Sequence, residues 1–143
     1  MTICQIQYAS PEYDASLRLR YKILREPLQL DYEVNQIEAE WDSFHFGIYD
    51  DDSNLVGCLT LESKSEGVIK MRQVVIDEPA QKAGLGTALV LATEQWCADH
   101  QYKKIVLHAR DLAVPFYQKL NYKIEGEPFT EVSIIHFKMY KDL

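Results

Sequence analysis

Apolar Cys4, Ile6 and Tyr8 alternate with Gln5 and Gln7, the period-two pattern of a strand with one wet face. Ser10 as a cap and Pro11 in a first helical turn then open a helix whose apolar stripe reads Tyr13, Leu17, Tyr21, Leu24 and Leu28. From Pro27 to Trp41 the pattern weakens and turns acidic, as expected of a surface loop or a short irregular helix. Phe44, Phe46 and Ile48 alternate into a turn cluster at Asp50 to Asn54, after which Leu55, Gly57, Leu59 and Leu61 resume the alternation, giving a hairpin. A second turn at Ser63 to Gly67 leads to a third run, Val68 to Ile76. A glycine-containing loop then enters a helix with Leu85, Leu89, Ala92 and Trp96 on one face, ending near His100. A strand at Lys104 to His108, a helix at about Leu112 to Leu120, and two strands near Tyr122 to Gly126 and Val132 to Tyr140 complete the chain.

This order predicts a mixed α/β (α+β) fold: a mostly antiparallel sheet of about six to seven strands flanked by helices. At its centre, Val68 to Ile76 and Lys104 to His108 form a parallel crossover pair. No repeat, low-complexity tract or linker interrupts the 143 residues, which are expected to form one domain, 1–143.

Composition narrows the function classes. With 47% hydrophobic and 26% charged residues the chain is of ordinary globular type. A net charge of -7 argues against a nucleic-acid partner, because such affinity depends on lysine and arginine displacing counterions, and it suits a cationic small substrate weakly. No apolar run reaches the roughly 20 residues of a membrane span, and the N-terminus lacks a secretory apolar core. Cys4, Cys58 and Cys97 are odd in number, far apart and set among apolar residues. They are expected to be buried, reduced thiols rather than disulfides or metal ligands, which points to the cytoplasm.

The stretch IDEPAQKAGLGTALV, from Ile76 to Val90, carries the strongest chemical signal. Gly84 and Gly86 stand at a helix entrance, where unpaired backbone N–H groups and the positive end of the helix dipole attract phosphate. The dinucleotide pattern GxGxxG and the phosphate loop GxxxxGK(S/T) are both absent. Taken alone, the glycines read as a plain structural turn more readily than as a phosphate site.

Together with its flanks, the loop resembles the coenzyme A signature of the GNAT superfamily of N-acetyltransferases, Arg/Gln-x-x-Gly-x-Gly/Ala, read here as Gln81, Lys82, Ala83, Gly84, Leu85, Gly86. Downstream, ARDLAVPFYQKLNYK is similar to the second signature of that family, an Ala and a Phe-Tyr pair on a short helix before Leu-Gly-Tyr. Asn121 replaces the glycine of that turn, and asparagine is the next best residue at a left-handed helix end. Arg110 stands where many members carry the asparagine that touches the pantetheine arm, so the resemblance implies a coenzyme contact there, and an arginine could instead reach a phosphate. The segments LRLRYKILREPL, MRQVVI and HAR look similar to a poorly characterised bacterial branch, which supplies no substrate.

The resemblance implies a GNAT-like sheet whose parallel central pair splays apart, and an N-acetyltransferase that moves acetyl from acetyl-CoA to a primary amine on a small molecule or peptide, without a metal. It implies that amides from Lys82 to Thr87 hold the diphosphate, that backbone groups of Val74 and Ile76 pair with the pantetheine arm, and that the Val74 N–H receives the developing oxyanion. Tyr117 matches the tyrosine that protonates the departing thiolate. A lysine-like amine at neutral pH lies roughly 4 kcal/mol from its nucleophilic form, so a base is needed. His108, at the end of the splayed strand, and His45 are the candidates, beside the acidic Glu33, Glu38 and Glu40, which otherwise read as solvated surface charge. For acceptor binding the candidates are Arg25, His45, Arg72 and Gln73, with only one of the last two able to face the cleft, since neighbours on a strand point to opposite faces. Arg20 and Arg25 are either surface charges or partners of an acceptor carboxylate. Two other readings stay open: an acyl-CoA sensor without turnover and a nucleotide-phosphate binder. The chain is expected to be a monomer or a homodimer.

Overall fold

The computed structural model describes residues 1–31, 34–81 and 83–143. β1 (Thr2–Ile6) leads into α1 (Pro11–Arg20), followed by α2 (Val34–Glu38), β2 (Phe44–Tyr49), β3 (Leu55–Ser65) and β4 (Val68–Ile76). Then come α3 (Leu85–Asp99), β5 (Lys104–Arg110), α4 (Val114–Lys119), β6 (Lys123–Ile124), β7 (Phe129–Glu131) and β8 (Ile134–Asp142). The sheet has the order β1-β2-β3-β4-β5-β8-β6, with β7 also on β8. β4 and β5 are its parallel pair, as the sequence predicts, and the other pairings are antiparallel.

Both faces of β3 are covered, which explains its unbroken buried run from Gly57 to Leu61 better than the alternation expected of a hairpin with a wet face. Leu59 and Leu61 join Leu89 and Val90 of α3 in the larger core. Cys58, on the opposite face, packs with Leu19 of α1 and Val75 of β4. Burial pushes the Cys58 and Cys97 thiols up to about 12, so both are inert. Cys4 departs from expectation: it is exposed on β1, whose outer edge has no neighbour in the sheet order.

Three further local departures have physical causes. β1 stops at Ile6, because Ala9 turns the chain with φ 62 and Ser10 caps α1 by accepting from the Tyr13 N–H at 3.1 Å. The helix does not keep a regular stripe to Leu28: it widens into a π-helical turn at Tyr21–Arg25 and tightens into a 3₁₀ turn at Glu26–Leu28. Its buried face runs through Tyr13, Ser16 and Arg20, while Tyr21 is exposed. Finally, β7 adds an eighth strand, because Val132 and Ser133 take φ 47 and 63 and reverse the chain into β8.

No helix among the described residues is long and apolar enough to cross a membrane.

Candidate functional site

β4 and β5 stay in register only from Val68 and Lys104 to Met71 and Leu107. Beyond that point β4 follows β3 to Ile76 and β5 follows β8 to Arg110, so the two strands part. The gap opens a cavity of about 200 Å³ walled by Val74 of β4, His108 and Arg110 of β5, Tyr117 of α4, Glu131 of β7 and Arg25 of the π-helical turn. A second recess, walled by Gln36 and Glu40, shares Arg25, Arg72 and Gln73 with the first.

The regular alternation behind the expectation that Arg72 and Gln73 point to opposite faces is interrupted in β4. Pairing passes from Thr60 with Arg72 to Cys58 with Val75, so two steps along β3 match three along β4. The extra residue is a β-bulge with Gln73 at φ 56, which breaks the alternation at this point, and both residues line the cavity. Arg72 also donates to Glu62 Oε2 at 2.7 Å.

Tyr117 is 7% exposed and lines the cavity, its ring edge-on to Phe116 at 5.0 Å and to Tyr122 at 5.6 Å. Burial pushes its phenol above the usual range, so the group stays protonated at neutral pH. His108 places Nδ1 3.2 Å from Glu131 Oε2 and 3.5 Å from Lys70 Nζ. A carboxylate only accepts, so Nδ1–H donates to Glu131 and the lone pair of the neutral ring lies on Nε2. Burial and the Lys70 ammonium hold this imidazole below the usual histidine range against the opposing pull of Glu131.

In the loop after β4, Gly84 caps α3 with φ 78, a left-handed conformation that glycine adopts without steric cost. A Cβ on Gly86 would lie 3.4 Å from the Phe116 ring, so the start of α3 sits close against α4. The first turn, with Leu85, Gly86 and Thr87, leaves N–H groups without intrahelical acceptors. Ala83, just before it, is exposed. Gln81 turns back instead: its side-chain amide donates to the Ile76 carbonyl at 2.9 Å and ties the loop to the end of β4. Lys82 and Glu33 lie outside the described residues.

Arg110 donates to the Leu24 carbonyl at 3.5 Å and lines the cavity, whereas none of the described residues from Gln81 to Thr87 does. His45 is 2% exposed and does not line either recess. Its Nε2 donates to the Glu40 carbonyl at 3.1 Å and its Nδ1 accepts from the Thr60 hydroxyl at 3.0 Å, while burial lowers its pKa. Glu38 is exposed on α2. Glu40 and Arg20, each read as either a surface charge or a site residue, are buried together: two guanidinium hydrogen bonds of 2.8 and 2.6 Å join them, and the Tyr13 hydroxyl donates to Glu40 at 2.7 Å.

Lys70, Glu131 and His136 also reach the cavity without having been anticipated. A signal existed for Lys70, which lies two residues before Arg72 and so on the same strand face. None existed for Glu131, whose strand begins a hairpin that turns on Val-Ser rather than on a glycine or asparagine.

The sequence profile of the family described as "Acetyltransferase (GNAT) domain" matches residues 27–143. The chain is 32% identical over 111 residues to the uncharacterized N-acetyltransferase YjcF of Bacillus subtilis, a match spanning 77% of this chain and 76% of that one. Its fold is similar to that of Escherichia coli ElaA, with a TM-score of 0.84 at 22% identity over 99% of either chain. It is similar as well to an aminoglycoside 6'-N-acetyltransferase complexed with coenzyme A, with a TM-score of 0.82 at 18% identity over 99% of this chain and 97% of that one.

Proposed function

This chain belongs to the GNAT acetyltransferase family, and on that premise we propose that it moves an acetyl group from acetyl-CoA to a primary amine by direct attack, residues 1–143 acting as one domain. The observation that supports this most is the parting of β4 from β5 beyond Met71 and Leu107, which brings Val74, His108 and Tyr117 to one cavity. The coenzyme fits the residues at its mouth. Open backbone at Gly84 and the first N–H groups of α3 would hold its diphosphate, and the unpartnered side of β4 around Val74 would take its pantetheine arm. Because the Ile76 carbonyl already accepts from Gln81, Val74 carries more of that pairing than Ile76.

The thioester supplies an activated carbonyl. Nε2 of His108 takes a proton from the amine as the nitrogen bonds to the carbonyl carbon. The Val74 N–H donates to the carbonyl oxygen as negative charge gathers there. Tyr117 gives its proton to sulfur as the carbon–sulfur bond breaks, leaving an amide and a thiol; solvent then carries the proton on His108 back to Tyr117.

Thiol release from acetyl-CoA across a panel of amino acids, polyamines, aminoglycosides and peptides tests this reading, with calorimetry of coenzyme A against ATP beside it. Amine-dependent release and tight coenzyme binding that ATP does not displace are expected; absence of coenzyme binding overturns the proposal. Since burial and Lys70 hold His108 below the usual histidine value of about 6.5, the limb of kcat/KM that His108 contributes should lie on the acidic side of that pH, apart from the ionisation of the amine itself. His108→Gln should lower kcat/KM about 10²-fold and abolish this acidic limb. An unchanged limb would remove His108 from the role of base.

A further inference from the structure

Helix α4 carries Tyr117, yet at six residues, Val114–Lys119, it is too short to hold itself in water. What holds its end lies just beyond. Asn121 takes φ 72 and reverses the chain, so that the Tyr122 N–H donates to the Tyr117 carbonyl at 3.0 Å and the Tyr122 ring returns edge-on to the Tyr117 ring, with 5.6 Å between centroids. Tyr122 is buried, but it is more than an apolar wedge. Its hydroxyl donates to Glu94 Oε2 at 2.9 Å, and the Lys141 ammonium donates to Oε1 of the same carboxylate at 2.7 Å while lying 5.6 Å from the Tyr122 ring. Burial and Glu94 together push the Tyr122 phenol above the usual range, which keeps the hydroxyl a donor. Three elements thereby meet at one side chain: α3 through Glu94, β8 through Lys141 and the end of α4 through Tyr122 itself. None of these three residues walls the cavity.

We propose that Tyr122, pinned by Glu94 and Lys141, is a positioning residue that aims the Tyr117 hydroxyl at the leaving sulfur, a role that rests on the acetyltransferase reading above with Tyr117 as its proton donor. Stability gives little reason for such a network, since a largely buried carboxylate and ammonium cost about as much in desolvation as they return, and an apolar cluster would serve as well. What a fully bonded buried network supplies is one fixed geometry. A phenylalanine in place of Tyr122 could tilt or slide along the Tyr117 edge, whereas hydrogen bonds of defined length and direction hold the tyrosine in one place. Phe116 supplies the other edge contact, at 5.0 Å, so the donor ring is gripped from two sides. Proton transfer demands that precision, because an offset of about 1 Å in a reacting group costs up to about 10²-fold in rate.

Thiol release at saturating acetyl-CoA and amine tests the assignment, with thermal unfolding run alongside. Tyr122→Phe and Glu94→Leu should each lower kcat about 10-fold while acceptor KM and calorimetric affinity for coenzyme A stay within about 2-fold. Glu94→Gln keeps a hydrogen bond to the Tyr122 oxygen in either orientation of its amide, so its kcat should lie at least about 5-fold above that of Glu94→Leu. The background separates aiming from mere support: in Tyr117→Phe, Tyr122→Phe and Glu94→Leu should change kcat less than about 2-fold, because the group they aim is already gone. In the ligand-free protein carrying ring-labelled tyrosine, the Tyr117 resonance, identified by its loss in Tyr117→Phe, should shift or broaden in Tyr122→Phe. An equal loss of kcat in both backgrounds would make the network a structural support only and overturns the proposal, as does full activity of Tyr122→Phe or an unmoved Tyr117 resonance. Where coenzyme A binds but no amine is acetylated, that resonance decides. Tyr117→Phe with kcat within about 3-fold of the parent removes the donor role, and the proposal with it, but leaves acetyl transfer intact. Failure of coenzyme A to bind would instead bring down the acetyltransferase reading and the proposal that rests on it.

Discussion

Tyr117→Phe should lower kcat by about 10²- to 10³-fold while leaving affinity for acetyl-CoA within about 3-fold. The substitution removes one oxygen and keeps the ring, so the edge-on contacts with Phe116 at 5.0 Å and Tyr122 at 5.6 Å survive and the fold is not expected to change. What is lost is the proton that sulfur needs when it leaves. Burial raises the phenol pKa, which has two consequences of opposite sign. The group is protonated at neutral pH, the form that the proposed donor role requires. It is also a weaker acid than a solvated tyrosine, but a thiolate formed in the same recess is desolvated too and becomes a stronger base, so the two remain matched. Alkaline loss of activity below pH 9 should therefore not arise from Tyr117. The decisive measurement is thiol release at saturating acetyl-CoA and amine, with thermal unfolding run alongside. Turnover within about 3-fold of the parent protein, in a variant of normal stability, would assign protonation of the sulfur to another group. A protein that binds the coenzyme but shows no turnover even before substitution would instead be the acyl-CoA sensor.

Which features the sequence displayed follows from the range of the interactions behind them. Helix α3 was legible because its entrance glycines and its apolar face are local, and β2, β3 and β4 were legible because strand period and turn residues are local too. The β7–β8 hairpin was hidden because its reversal is imposed on Val132 and Ser133, residues that carry no turn signal and that tertiary contacts must hold in a left-handed conformation. The bulge at Gln73 was hidden for a similar reason, since an extra residue in one strand is defined only against its partner. That one residue interrupts the alternation on which the reading of Arg72 and Gln73 rested, and both line the cavity. Arg20 and Glu40 were misread most completely. A charge at a helix surface and a charge in an acidic loop each look solvated, and only the fold brings together two residues 20 positions apart.

Arg20→Met should destabilise the protein by about 3–5 kcal/mol, because it leaves the Glu40 carboxylate buried without its cation. For a chain of this size that corresponds to a fall in Tm of about 10–20 °C. Arg20 is 1% and Glu40 7% exposed, so water cannot replace the missing partner, and the Tyr13 hydroxyl satisfies only one carboxylate oxygen. The pair itself is not the source of stability: Arg20→Met combined with Glu40→Gln, which removes both charges yet still accepts from Tyr13, should recover more than half of the loss. A single variant within about 1 kcal/mol of the parent, or a double variant no better than the single one, would show that the interior there admits water. The pH dependence has the same origin. Burial raises the Glu40 pKa, but the Arg20 and Tyr13 hydrogen bonds outweigh it and hold the carboxyl below its usual value. A depressed folded-state pKa means that the stabilisation is complete above the unfolded value of about 4.3 and is lost as pH falls from there through the folded value. The double variant, lacking the carboxylate, should lose less stability over that acidic interval. Arg20 closes α1 and the next five residues form the π-helical turn that carries Arg25 to the cavity, so the buried pair also fixes one wall of that cavity. Arg20→Met at a temperature where it remains folded should therefore raise the acceptor KM more than it weakens coenzyme binding, since the start of α3 lies on other elements.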